Sequence, residues 1–326
     1  MEDKATVFSV NITSADRSNI SLSFIQSKYH CVWLDWGDGS QRDSFAESGL
    51  VETSHTYAEP GEYQIMMFAV DDGTIEIVNF GGDSDGYKNM LEALTVGEDV
   101  TVIHDGAFKN CENLETLAFL GEEAPQLGEY VFASCGSITE VAIPGSLSSI
   151  PVGAFFNCSG LKTIEFSGSV SIIGANAFQG CTQLKEISLI GVEKIGDYAF
   201  QGCRKLDNVY LLQVSEFGEG AFDSCTCIRE LSFKKVKKIG ERAFCNCKSI
   251  SSVEIPKTIE EIGDYAFYGC NFLKKVKMLY RNPPVLTGSH AFEGIDDLTI
   301  TVPSGYKANY TRATNWSAYS HLIREE

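Results

Sequence analysis

A chain of 326 residues with 44% apolar side chains is long enough for about two domains with buried cores. Its 44 acidic against 26 basic residues leave a net charge of −18, which opposes association with phosphate backbones or anionic membranes, so nucleic acid is not an expected partner. No apolar run reaches the ~18–20 residues that span a bilayer, so no transmembrane segment is expected, and Met1-Glu2-Asp3-Lys4 lacks the basic-then-apolar start of a signal peptide.

The acid is concentrated at the start. Residues 1–88 carry 15 Asp and Glu against 5 Lys and Arg, which points to two domains with different surfaces. Within residues 5–80 the segments Val7–Ile12, Ile20–Ile25, Cys31–Trp36, Tyr63–Val70 and Thr74–Val78 alternate or run apolar over strand lengths, as in a small antiparallel β-sandwich. Asp38-Gly39 and Pro60-Gly61 are tight-turn dipeptides, and Trp36, Tyr57 and Tyr63 are core or strand-edge aromatics. The stretch Val32-Trp33-Leu34-Asp35-Trp36-Gly37-Asp38-Gly39-Ser40, with the later Ser54-His55-Thr56-Tyr57-Ala58-Glu59-Pro60-Gly61-Glu62-Tyr63, resembles the polycystic kidney disease (PKD) domain. That resemblance implies an immunoglobulin-like sandwich over residues 1–80, a spacer or a protein- or glycan-facing module of extracellular proteins. Asp35, Asp38 and Asp43, joined later by Asp71 and Asp72, form acidic turns, as does Asp83-x-Asp85-Gly86; none makes a full oxygen-ligand loop for Ca²⁺, and a solvated turn is the preferred reading. Residues 81–99 read as a junction and N-terminal cap, with Tyr87–Leu94 covering the first coil of the repeat region.

From residue 100 the chain repeats. (Ala/Val)-Phe-x-x-Cys recurs with Cys111, Cys135, Cys158, Cys181, Cys203, Cys225, Cys247 and Cys270, and Ile295 stands in a ninth copy; the steps are 24, 23, 23, 22, 22, 22, 23 and 25 residues. That period belongs to stacked solenoid coils. In each unit an apolar triplet such as Leu206, Val209 and Leu211 reads as a very short parallel strand. An Ile-Gly pair such as Ile195-Gly196 reads as a corner needing either a positive φ or a close backbone approach, and the following x-x-Ala-Phe as one turn of 3₁₀ or α-helix. The recurring Phe is the expected core column. The unit Ile-Gly-x-x-Ala-Phe-x-x-Cys-x-x-Leu-x-x-Ile-x-(Ile/Leu) resembles the BspA-like, or Treponema-type, leucine-rich repeat over residues 100–302. The resemblance implies a right-handed solenoid, surface exposure or secretion in host-associated bacteria, and adhesion rather than catalysis. After Pro303 and Gly305, the spacing of Tyr306, Tyr310, Ala313, Trp316, Tyr319 and Ile323 predicts one amphipathic helix as a C-terminal cap over residues 303–326.

Eight of the eleven cysteines are the repeat position. Equivalent Cα atoms about 4.8 Å apart fall inside the disulfide range, but parallel side chains do not bring their Cβ atoms together, so buried thiols acting as small hydrophobes are expected. Cys225-x-Cys227 and Cys245-x-Cys247 leave zinc or a Cys227–Cys245 disulfide as alternatives to free thiols. The histidines, His30, His55, His104, His290 and His321, share no metal or triad spacing, and no phosphate loop or nucleophile elbow occurs. No catalytic residue, metal or cofactor is expected. The expected binding surface is the outward sheet face, where Ile190, Tyr210 and Leu212 make an apolar and aromatic patch with Lys234 and Lys277 further along. The reading is mainly β: a PKD-like sandwich, then nine coils, in an exported or cell-surface protein whose signal is absent from the sequence. Its partner would be a protein or glycan, with host extracellular matrix as one source, or it would be a spacer with no ligand.

Overall fold

The computed structural model describes residues 4–13, 19–27, 30–70, 72–82, 85–145, 147–207 and 209–326. It divides into two compact units, Met1–Leu147 with Gly153–Gly168, and Ser148–Val152 with Ser169–Glu326. Among the described residues no helix is long and apolar enough to cross a membrane.

The first unit opens with β1 (Thr6–Ile12), β2 (Asn19–Gln26), β3 (Val32–Asp35), β4 (Asp43–Phe45), β5 (Gly49–Thr56), β6 (Gly61–Ala69) and β7 (Ile75–Phe80). β1, β6, β3 and β4 pair antiparallel in one sheet, and β7, β2 and β5 in another. Their inward faces meet where Phe8 of β1 stacks on Phe80 of β7 at 5.7 Å. β4 and β5 carry no period-two apolar signal; β5 alternates only between half-buried and exposed, which is why it escapes a hydrophobicity reading.

Neither sheet ends with these strands. β8 (Leu91–Val96) pairs antiparallel with β1 on one side and parallel with Thr116–Phe119 on the other, and β9 (Val100–Ile103) lies parallel between β7 and Gln126–Leu127. The first sheet continues through Glu140–Ile143 to Thr163–Phe166. The expected lead-in segment Tyr87–Leu94 thus holds the end of a one-turn helix, Asp85–Lys88, and the start of β8.

In the second unit each full coil can contribute two short parallel strands, where the sequence indicates one. A seven-stranded sheet runs through Ser149–Ile150, Ile172–Ile173, Lys194–Ile195, Glu216–Phe217, Lys238–Ile239, Glu261–Ile262 and Val285–Leu286. A second sheet runs through Glu230–Ser232, Ser252–Ile255, Lys275–Met278, Thr299–Val302 and Ile323–Glu325. The triplet Leu206, Val209 and Leu211 is buried but forms no strand among the described residues, and Asn208 lies outside them.

The Ile-Gly corner is explained by close approach and not by positive φ. A Cβ on Gly263 would sit 2.3 Å from the Glu241 backbone nitrogen, and one on Gly196 would sit 2.6 Å from that of Ala175. The segment after it is not helical. Left-handed residues such as Tyr198 (φ 57°) and Gly202 (φ 76°) flank Ala199-Phe200-Gln201, so the chain makes successive tight turns with Gln201 N donating to Tyr198 O and Cys203 N to Phe200 O, both at 3.1 Å.

These turns are joined coil to coil by a directional ladder. Within each unit the Phe N–H donates forward to the carbonyl before the next Phe, as Phe200 does to Ala221 at 2.8 Å, Phe222 to Ala243 at 2.7 Å, Phe244 to Ala266 and Phe267 to Ala291 at 2.8 Å, and in the first unit Phe108 to Val131 at 3.0 Å. The Sγ of Cys135, Cys158, Cys203, Cys225, Cys247 and Cys270 donates backward to the Phe carbonyl of the preceding coil, as Cys225 does to Phe200 at 3.0 Å, Cys247 to Phe222 at 3.1 Å and Cys135 to Phe108 at 3.2 Å. That carbonyl already accepts the backbone N–H three residues on, so one oxygen closes the turn and binds the next coil. The rings stack at 5.0 Å between Phe200 and Phe222 and at 5.5 Å between Phe222 and Phe244.

A forward-donating ladder leaves one acceptor open at its start and one donor at its end. In the first unit, Phe80 N donates to the open Ala107 carbonyl at 3.1 Å, and its ring lies 6.3 Å from Phe108. In the second, the last rung's N–H, that of Phe292, donates to the Tyr319 hydroxyl at 3.1 Å, which itself donates to the Ser289 carbonyl at 2.6 Å.

The single C-terminal helix expected over Tyr306–Ile323 is instead a helix at Lys307–Arg312, a 3₁₀ turn at Trp316–Tyr319 and a strand at Ile323–Glu325. Ala313 is extended and Asn315 is left-handed at φ 64°, which breaks the helix. The break lets Asn315 Nδ2 reach the Leu286 carbonyl and Trp316 Nε1 the Pro284 carbonyl, each at 2.8 Å, satisfying acceptors at the end of the stack.

Tyr319→Phe removes the group that satisfies both Phe292 N–H and Ser289 carbonyl and is expected to cost about 1–3 kcal/mol in urea unfolding. In the same measurement, Phe222→Ala, which empties a rung that is 0% exposed, is expected to cost about 3–5 kcal/mol.

Candidate partner-binding surface

In the second unit, the sheet through Glu230–Ser232 aligns its outward residues in rows. Glu230, Ser252, Lys275 and Thr299 are in register, as are Ser232, Glu254, Lys277 and Thr301, while Leu231, Val253, Val276 and Ile300 point inward and are buried. Two hollows of about 350 and 390 Å³ adjoin at the edge of this face and share Arg229 and Glu230. The first is also lined by Asp207, Val209, Tyr210 and Ser232, the second by Ser249, Ser251 and Phe272. Tyr210 and Phe272 are 61% and 67% exposed, so two aromatic platforms flank a polar middle. Ser251 N donates to the Arg229 carbonyl at 3.4 Å and Lys274 N to the Ser251 carbonyl at 3.0 Å, which fixes the backbone under these side chains.

Of the five residues expected from the sequence, Tyr210 lines a hollow. Ile190 is 76% exposed but sits in a turn, Leu212 is half-buried, and Lys234 is exposed outside both hollows. Lys277 Nζ lies 2.9 Å from the Glu326 carboxylate, and that hydrogen bond raises its pKa, so its charge is already answered. Arg229 and Phe272 escaped the sequence reading. Phe272 was nevertheless detectable: two residues after the cysteine, the other repeats place Asn113, Ser137, Gly160, Gln183, Lys205, Cys227 and Ser249.

The other sheet of this unit presents a row of Lys194, Glu216, Lys238 and Glu261, with ion pairs Lys194–Glu216 and Lys238–Glu261 at 3.0 Å. Exposed pairs of this kind contribute ~0–1 kcal/mol each, but they leave a face whose charges are answered internally.

The thiols are donors here, not nucleophiles. Burial pushes Cys158 and Cys270 up to about 12, and Cys225 and Cys247 well above the ordinary thiol range, so the S–H persists at neutral pH. All eleven cysteines are free; Cys227 is exposed, whereas Cys245 is buried and accepts from Asn246 Nδ2 at 3.3 Å. No group of three or more His, Cys, Asp or Glu among the described residues is placed to hold a metal ion.

In the acidic turn of the first unit, protein donors occupy the carboxylates. Asp35 accepts from Gly37 N at 2.9 Å and Arg42 Nε at 2.8 Å, Asp43 from Trp36 Nε1 at 2.8 Å, and Asp38 from Ser40 N at 2.9 Å with His55 Nε2 at 2.7 Å. Trp36 stacks on His55 at 5.0 Å, and Tyr57, 2% exposed, donates to the Trp36 carbonyl at 2.9 Å. Partial burial alone would raise the Asp38 pKa, but the hydrogen bonds from Ser40 and His55 outweigh it and lower it to about 2. Asp71 and Asp83 lie outside the described residues.

Residues 86–207 and 193–315 match the family model described as the BspA type leucine rich repeat region, in 6 copies. No curated protein matches the chain. Among solved structures, a leucine-rich repeat protein from Bacteroides ovatus is 26% identical with a TM-score of 0.52, covering 72% of this chain and 65% of that one. The chain therefore spans about 65% of that protein's length. A leucine rich cell surface protein from Faecalibacterium prausnitzii is 19% identical (TM-score 0.33; 76% and 93% covered), and the Treponema pallidum leucine-rich repeat protein is 23% identical (TM-score 0.35; 63% and 78% covered).

Asp38 titrates in a defined window. Its folded pKa lies below the ordinary carboxylate value, so its contribution is present above that value and is lost as pH falls toward about 2. The difference in thermal midpoint between the native chain and Asp38→Asn is expected to close as pH falls from about 4 toward about 2.

Proposed function

Because the chain belongs to the BspA-type leucine-rich repeat family, we propose that it is a non-enzymatic, exported protein that binds a partner protein through the face bounded by Tyr210 and Phe272. Family membership supports the binding role and the surface location. The observation that carries the choice of face is the meeting of two hollows at Arg229 and Glu230 between exposed aromatic platforms. Aromatic and arginine anchors around a desolvatable centre are the usual dominant contributors at protein interfaces. Host extracellular matrix is the proposed source of the partner, with a glycan as the other ligand class. Residues 1–80 are read as a PKD-like module, supported by the Trp36, His55 and Tyr57 cluster, with 81–99 as junction, 100–302 as the nine coils and 303–326 as the cap.

The second reading, a spacer with no ligand, is favoured by the internally paired charges of the other sheet. Capture of solubilised host matrix proteins on the immobilised chain separates the two. Binding is expected to fall at least about tenfold in Tyr210→Ala with Phe272→Ala, the loss of two hot-spot residues. Capture unchanged by the double variant removes this face from consideration, and no capture by the native chain supports the spacer.

A further inference from the structure

One sheet end in the first unit stands apart from the others. β5 lies at the end of its sheet, paired through all of Gly49–Thr56 with β2 in an unbroken register. Among the described residues no backbone hydrogen bond joins Gly49–Thr56 to anything but β2. The end strands of the sheets other than β5, namely Asp43–Phe45, Gln126–Leu127, Ser149–Ile150, Glu186–Ile187, Glu230–Ser232, Val285–Leu286 and Ile323–Glu325, offer two or three residues each. Eight residues present about 26 Å of edge with outward N–H and C=O groups.

Natural edges of that length are protected by lysine, proline, a bulge or a covering element. β5, Gly49-Leu50-Val51-Glu52-Thr53-Ser54-His55-Thr56, has no lysine or proline, and its pairing has no register shift, whereas the β2–β7 and β1–β8 pairings each do. Leu50 on this edge is 60% exposed.

We propose that β5 pairs antiparallel with β5 of a second copy of this chain, across a two-fold axis through Thr53. The register is dictated by the strand itself. With Thr53 opposite Thr53, Leu50 faces Thr56, Val51 faces His55 and Glu52 faces Ser54, so exposed residues meet exposed residues and half-buried meet half-buried. No like charges face each other. Shifting the axis to Glu52 sets two carboxylates opposite one another, and shifting it to Ser54 shortens the paired stretch. An axis between residues turns each exposed side chain toward a half-buried face of the partner strand. The dimer joins the β5 edges of two copies of this sheet and uses none of the residues named for the second unit's binding face, so it stands independently of the function proposed above.

Sedimentation velocity on the full chain, from low micromolar to several hundred micromolar, tests the pairing, with amide exchange of Gly49–Thr56 as a local readout. The native chain is expected to dimerise with protection of β5 amides. Ser54→Glu, which puts a carboxylate opposite Glu52 twice per dimer, is expected to weaken the dimer about tenfold, whereas Ser54→Lys is expected to hold or tighten it. Position 54 is exposed, so both variants keep the fold, which circular dichroism checks. A chain that stays monomeric throughout, a dimer without β5 protection, or equal responses to Glu and Lys at position 54 overturns the proposal.

Discussion

The repeat is governed by one polar arrangement inside an apolar column: the Phe N–H points to the next coil while the Phe carbonyl receives both its own turn and the thiol of that next coil. Apolar stacking sets how strongly coils attract, but it is indifferent to sliding. Hydrogen bonds in a dry interior are not, because an unpaired buried group costs more than a paired one contributes. The ladder therefore fixes register, and register in turn allows rings to stack at 5.0–5.7 Å and glycine corners to approach within backbone contact. Cysteine suits the position because a small, weakly polar S–H can donate where a larger or more polar group would crowd or need further partners. Burial keeps thiols such as Cys158 and Cys270 protonated, so the placement that makes them structural also lowers their reactivity.

The ladder's direction also explains why the two chain ends differ in construction. At the start an acceptor needs a donor, and a strand residue, Phe80, provides its N–H and its ring together. At the end a donor needs an acceptor, and the Tyr319 hydroxyl fills the place while Trp316 and Tyr319 close the ring column at 6.2 and 5.5 Å. The N-terminal strands are thus part of the repeat architecture within the first unit, because β8 and β9 belong to both kinds of sheet.

The inward half of the repeat was readable because it is periodic: Phe, Cys and the apolar triplets announce themselves by recurrence. Polarity within that half was not, since a sequence shows that Cys recurs but not that its hydrogen points at a carbonyl. The C-terminal helix illustrates a different loss. The spacing of Tyr310, Trp316 and Tyr319 fits a helix, yet Asn315 turns left-handed so that two side chains can reach strand carbonyls, and tertiary demand overrides local pattern. β5 was missed because a strand solvated on one face and half-buried on the other lacks the contrast that periodicity needs. On the candidate surface, Tyr210 stood out as an aromatic, whereas Phe272 becomes visible when the repeats are aligned and its column is seen to be otherwise polar or small.

The interchangeability of rungs has a consequence for how such a molecule can change length. An internal coil receives on one side what it donates on the other, so adding or deleting a whole coil within a unit creates no orphaned group, whereas a fraction of one does. The terminal pieces, by contrast, are one-sided connectors that cannot be duplicated internally. Growth is therefore quantised, and the distance between two side chains on different coils, such as Tyr210 and Phe272, can be reset only in steps of about 4.8 Å. A lineage could retune the reach of its recognition face by counting coils while leaving every contact residue as it is.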